Sequence, residues 1–134
     1  MVDIFDEVEE DLREERMQAL LKKFNRAGKS GQVKAFAHIT GGGFVDNIPR
    51  VLPTKCDVVI RKGTWEMGPL FQLLAERGGV EDAELYQVFN MGVGMVAIVA
   101  AEHVEAALKF IRSQKHKAWL IGEVVKGTGL ARVE

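Results

Sequence analysis

His38 and Thr40 stand immediately before three consecutive glycines, Gly41-Gly42-Gly43, and Asn47 and Arg50 follow shortly after. An imidazole, a hydroxyl, a side-chain amide and a guanidinium therefore surround one glycine turn. Glycines bury no side chain and cost backbone entropy when fixed. A triplet is explained by close approach of its backbone to something else. That partner is either a ligand met by bare N–H groups, a phosphate above all, or another stretch of backbone, and residue types leave both open. His38 can move a proton near neutral pH or satisfy a neighbouring carbonyl at a strand end. Thr40 and the amides of Gly41, Gly42 and Gly43 are candidates for contacting a polar substrate. Asn47 and Arg50 can position a phosphate, Arg50 through its bidentate fork, or pair structurally with Asp46 or Glu66.

Other reactive residue types read as structural. Cys56 precedes a strand-like run and behaves there as a small hydrophobe rather than a nucleophile. His103, at a helix start, and His116, in a basic turn with Lys115 and Lys117, read as surface residues. No Cys/His group has metal-ligand spacing, and no phosphate-loop lysine motif appears. Carboxylates crowd only the first helix, where solvation explains them. Gly92-Val93-Gly94 permits either a tight turn into a strand or the approach of a ligand.

The elements that must position these residues can be read from period and punctuation. Gln32–Thr40 reads as a strand leading into the glycine turn, and 44–52 as one short helix. Residues 56–61 form a second strand ended at Gly63, with Thr64 as a turn or capping residue. Met67, Leu70, Phe71 and Leu74 fall at helical spacing and Arg77-Gly78-Gly79 stops that helix. A short helix carries Leu85, Val88 and Phe89. The run 96–100 is a fully apolar strand to be covered on both faces. Val104, Ala107, Leu108 and Ile111 form a helical stripe. Residues 118–125 read as a long strand and 130–133 as an edge strand.

Residues 3–25 read as one charged helix, acidic at its start and basic at its end, as the helix dipole favours. Its two apolar groups (Ile4, Phe5, Val8, Leu12 and Met17, Leu20, Leu21, Phe24) point roughly opposite ways at about 100° per residue. One face can therefore serve a homo-oligomer, such as a dimer. The division is an amino-terminal helix over 1–27, a linker over 28–32 and a domain over 33–134. The fold class expected is α/β (α+β), a single layered domain of about four strands with packed helices.

A chain of 134 residues is one domain's worth. Its net charge of −1 makes no case for nucleic acid or an anionic membrane as partner. One cysteine excludes an internal disulfide and suits a reducing cytoplasm. The acidic amino terminus lacks an apolar signal-peptide core, and the longest apolar run, 95–101, is too short to span a bilayer.

Several stretches carry a family resemblance. They are His38-Ile39-Thr40-Gly41-Gly42-Gly43-Phe44, then Asn47-Ile48-Pro49-Arg50-Val51-Leu52-Pro53, Thr64-Trp65 and Phe71-Gln72-Leu73-Leu74. Phe89-Asn90-Met91-Gly92-Val93-Gly94-Met95 and Ala118-Trp119-Leu120-Ile121-Gly122-Glu123-Val124 follow in order. From about Val33 to about Val125 the chain resembles the aminoimidazole ribonucleotide synthetases, the phosphoribosylformylglycinamidine cyclo-ligases of purine biosynthesis. The resemblance covers only the last part of that enzyme's carboxy-terminal domain.

It implies a substrate wall for formylglycinamidine ribonucleotide, with His38 as the catalytic candidate and Thr40, Gly41, Gly42, Gly43, Asn47 and Arg50 as substrate contacts. ATP and magnesium belong to the whole family enzyme, whose nucleotide motifs lie in an amino-terminal domain. The expectation for this chain alone is no cofactor and no metal, and no turnover unaided. The alternative is a non-catalytic truncated or engineered α/β module whose role is folding or assembly.

Overall fold

The computed structural model describes residues 2–3, 19, 23 and 33–134. The apolar run Met95-Val96-Ala97-Ile98-Val99 forms strand β4 (Met95–Val99). Its side chains alternate between two cores, Val96 and Ile98 into one, Met95, Ala97 and Val99 into the other. A strand without a polar break needs such cover on both faces. β4 is the middle of an antiparallel sheet, between β1 (Val2–Asp3) and β2 (Val33–His38). In the second sheet β3 (Cys56–Ile60) is central, antiparallel to β5 (Gly122–Lys126) and parallel to β6 (Ala131–Val133). Four helices are described: α1 (Gly43–Asn47), α2 (Pro69–Arg77), α3 (Asp82–Val88) and α4 (Val104–Ser113). The class is α+β, with the strands divided between two small sheets.

The larger core joins the two sheets. Ile39, Phe44 and Ile48 from the glycine-turn segment meet Val58 and Ile60 of β3, with Met91, Val93, Val96 and Ile121 around them. Trp65 braces this core. Its ring meets Phe44 edge-on at 5.6 Å and Tyr86 at 6.2 Å, and its Nε1–H donates to the Met91 carbonyl oxygen at 3.1 Å. Trp65→Phe leaves that buried carbonyl without its donor. The expected loss is about 2 kcal/mol, read as a lowered urea midpoint with an unchanged m-value. The smaller core packs Ala107, Leu108 and Ile111 of α4 against Met95 and Ala97, as the helical stripe requires.

β3 carries one carboxylate inward. Asp57 Oδ1 accepts from the backbone amides of Thr128 (2.7 Å), Gly129 (3.0 Å) and Leu130 (2.9 Å), and Oδ2 accepts from Arg132 NH1 (2.9 Å). Donation from Leu130 and Thr128 is the main reason its pKa lies below the ordinary carboxylate value; Gly129 and the Arg132 charge add to it, and desolvation opposes them. A Cβ at Gly127 would lie 2.0 Å from the Asp57 Cγ. Glycine there lets the β5–β6 turn close over the carboxylate.

Several expected elements take a different form. The segment expected as one helix over 44–52 splits into α1 and a 3-10 turn, Ile48–Val51, because Pro49 has no amide hydrogen to continue an α-helical ladder. The helix expected from Met67, Leu70, Phe71 and Leu74 starts at Pro69, a residue suited to a first helical position. Thr64 is a turn residue, its hydroxyl donating to the Arg61 carbonyl at 2.7 Å. The long strand expected over 118–125 is shorter, Gly122–Lys126. Ahead of it, the Ala118 carbonyl is held by Arg112 (Nε 3.2 Å, NH2 2.8 Å), and Ala118 and Ile121 turn into the two cores.

Of the helix expected over 3–25, only Asp3, Ala19 and Lys23 are among the described residues. Ala19 and Lys23 are helical, whereas Asp3 pairs in a strand with Val96. The remainder of that helix, its two apolar faces and the linker over 28–32 lie outside the described residues.

Candidate functional site

The antiparallel register that pairs His38 with Met95 places the end of β2 and the start of β4 at one end of their sheet. Two glycine-bearing segments, Thr40–Gly43 and Asn90–Gly94, therefore meet there. The Ile39 amide donates to the Gly94 carbonyl at 2.9 Å. In the second segment Met91 and Gly92 both adopt positive φ (52° and 89°), and Asn90 Oδ1 accepts from the Gly92 amide at 2.9 Å. That Asx turn aims Met91 at Trp65 and leaves Gly92 half-exposed beside the Phe71 ring.

The three consecutive glycines do three different things. Gly43 (φ +56°) lies against the carboxy-terminal end of α3: a Cβ there would lie 2.1 Å from the Tyr86 carbonyl oxygen and 2.9 Å from that of Phe89. Its need is backbone against backbone. Gly42 (φ +95°) takes a left-handed conformation with the Asp46 side chain beneath it. Gly41 is exposed and has nothing within 4 Å of a Cβ position, so its backbone faces open space. The turn is closed by the Gly43 amide donating to the Thr40 carbonyl at 3.0 Å. Among the described residues the Gly41 and Gly42 amides donate to no other protein group.

His38 and Thr40 are exposed at the end of β2 and just beyond it, on the approach to the turn. The His38 ring satisfies no carbonyl among the described residues. Asn47 is buried at 4% exposure, and its Nδ2 reaches the carbonyl oxygens of Thr40 (3.3 Å), Gly41 (3.2 Å) and Gly43 (2.8 Å). Arg50 is exposed in the 3-10 turn after α1. Neither proposed structural partner holds it: Glu66 pairs with Lys117 at 3.3 Å, and Asp46 lies under Gly42. The structure thus gathers His38, Thr40 and the glycines at one surface, with Asn47 beneath them. Residues absent from the expected site are Asn90 and Gly92. The signals for them were the spacing Gly92-Val93-Gly94 and the run Phe89 to Met95 that carries part of the family resemblance.

The family described as AIR synthase related protein, C-terminal domain, matches residues 2–133. This chain belongs to that family. Among curated relatives, the phosphoribosylformylglycinamidine cyclo-ligase of Bacillus cytotoxicus is 44% identical over 112 residues, 84% of this chain and 30% of the relative. That of Caldicellulosiruptor bescii is 48% identical over 95 residues, 71% of this chain and 28% of the relative. This AIR synthase-related domain therefore spans less than a third of the length of the relatives it matches.

Among solved structures it is similar to the E. coli hydrogenase maturation protein HypE (TM-score 0.62, 24% identity, 87% of this chain and 36% of that one). A protein from Thermus thermophilus is also similar (TM-score 0.54, 20% identity, 78% and 33%). These two likenesses concern the fold alone. Among the described residues of the domain, no group of three or more His, Cys, Asp or Glu side chains could hold a metal ion, and no helix is long and apolar enough to cross a membrane.

Proposed function

We propose that this chain forms the substrate-side wall of a phosphoribosylformylglycinamidine cyclo-ligase. Such an enzyme closes formylglycinamidine ribonucleotide to aminoimidazole ribonucleotide in purine biosynthesis, with ATP consumed. The observation that carries this reading is the division of labour within the glycine triplet. Gly43 is wedged against the Tyr86 carbonyl, while Gly41 stands open and, among the described residues, its amide and that of Gly42 meet no acceptor. A wall of this kind binds and orients.

In this proposal the Gly41 and Gly42 amides donate to oxygens of the ribonucleotide, and the Thr40 hydroxyl adds a donor beside them. His38 holds or moves a proton at its exposed ring, and Arg50 draws the substrate's phosphate toward the turn. The described residues offer no carboxylate cluster for magnesium and no phosphate-loop lysine, so they do not fit the ATP and magnesium of the reaction. No step of the phosphoryl transfer is assigned to them, and we expect no turnover from this chain unaided. We further propose a cytoplasmic setting, in which Cys56 stays a free thiol, and self-association into a homo-oligomer.

Calorimetric titration with formylglycinamidine ribonucleotide, and separately with magnesium and ATP, tests the proposal. Heat of binding is expected from the ribonucleotide and none from the nucleotide; a silent ribonucleotide titration would overturn the reading. His38→Ala refines it. Because the ring is exposed, the variant is expected to stay within about 0.5 kcal/mol of the parent in thermal denaturation. Loss of the ring's contact should weaken ribonucleotide binding roughly tenfold. A large stability loss would instead make the ring structural.

A further inference from the structure

We infer that Asn47 is a positioning residue of the substrate wall, acting on the ligand only through the backbone of the glycine turn. The inference rests on the reading of that turn as a substrate contact. At 4% exposure the Asn47 side chain is closed off from solvent, and its Nδ2 is spent on protein carbonyls. Two N–H protons serve three oxygens, those of Thr40, Gly41 and Gly43, so one proton is shared.

The consequence follows from the planarity of the peptide. In a trans unit the C=O and the next residue's N–H point in opposite directions. Drawing the Thr40 carbonyl toward Asn47 turns the Gly41 N–H away from it. Drawing in the Gly41 carbonyl does the same to the Gly42 N–H. These are the two amides with no protein acceptor among the described residues. Asn47 thus helps set which edge of each peptide faces the outside: it shares the Thr40 carbonyl with the Gly43 amide and is the donor found on the Gly41 carbonyl among the described residues. Glycine at 41 and 42 makes this control necessary, because such residues flip between backbone basins at little cost.

Asn47 also occupies the last position of α1, fixed by burial of Phe44 and Ile48 on either side of it in sequence. The core therefore holds the amide in place, and the amide holds the turn. An aspartate of the same shape would set a carboxylate against three carbonyl oxygens and drive those peptides to rotate. An alanine would leave them unguided without repulsion.

The test uses Asn47→Asp and Asn47→Ala in the full chain, below the melting temperature of each. Amide proton–nitrogen spectra and calorimetric titration with formylglycinamidine ribonucleotide are the readouts. The expected result is displaced Gly41 and Gly42 resonances, unchanged β3, β5 and β6 resonances, and affinity lowered at least about tenfold in the aspartate variant. Alanine, which carries no repulsion, serves if the aspartate variant does not fold, and is expected to loosen the turn and weaken binding in the same direction.

Wild-type positions for Gly41 and Gly42, or wild-type affinity, in a folded variant would overturn the inference and leave the site reading intact. A parent chain that binds no ribonucleotide would overturn the site reading and the inference with it.

Discussion

Gly43→Ala is expected to lower stability by about 3 kcal/mol or more, the sum of a left-handed backbone imposed on alanine and an overpacked contact. The added methyl has no room to relax. Its near neighbours are the main-chain oxygens of Tyr86 and Phe89, at 2.1 and 2.9 Å, rather than the tip of a flexible side chain. Relief would require moving the end of α3 away from α1, which parts Tyr86 from Trp65 and opens the larger core. Gly41→Ala, two residues earlier, is the matched control. It meets nothing within 4 Å and is expected to change stability by no more than about 0.5 kcal/mol, while narrowing access to the Gly41 and Gly42 amides and weakening ribonucleotide binding. Chemical denaturation of both variants checks the pair, and equal stability losses would contradict the assignment of one glycine to packing and the other to the ligand.

Asp57→Asn is expected to destabilise the fold, read as a lowered melting temperature at neutral pH. The carboxylate accepts from three successive amides and from Arg132. An amide of the same shape can keep its oxygen on the three backbone amides, but it then turns an NH2 toward the Arg132 guanidinium and removes the charge that all four donors meet. The pH dependence has a definite sign. The pKa of Asp57 is lowered in the fold, so the unfolded chain binds this proton more readily than the native one. The stabilisation is complete above the unfolded value, near pH 4, and fades as pH falls through the lower folded value. Parent and variant melting temperatures should lie furthest apart between about pH 5 and pH 7 and converge in acid below about pH 4. A gap that stays constant into acid would show that the charge of Asp57 contributes nothing.

Local signals in the chain explain why the framework could be read in advance. β4 declares itself by an apolar run, α4 by Val104, Ala107, Leu108 and Ile111 at helical spacing, and α2 by its Arg77-Gly78-Gly79 stop. Such signals depend on residues within a few positions of one another. Asp57 could not be read that way, because the amides that hold it lie 71 to 73 positions further on, at Thr128, Gly129 and Leu130. Alone, an Asp in a strand is unremarkable.

The glycine triplet was half legible. Residue types left a ligand and a neighbouring backbone as equal explanations, and the fold gives the backbone to Gly43 and open space to Gly41. Three identical residues carry no difference in type; only the path of α3 past one of them separates their roles. Asn47 was hidden in the same way, since a buried amide and a substrate-binding amide are the same letter. The start of the strand expected over 118–125 was misplaced because Arg112 holds the Ala118 carbonyl, an interaction that β-propensity does not anticipate.

The most direct test of the central claim is to map the ribonucleotide onto the chain by amide proton–nitrogen shifts during titration. The largest changes are expected at Gly41 and Gly42, with smaller ones at Thr40 and Gly92. The resonances of Thr128, Gly129 and Leu130 around Asp57 should stay still. Saturable shifts confined to other parts of the surface, with the glycine turn unmoved, would contradict it.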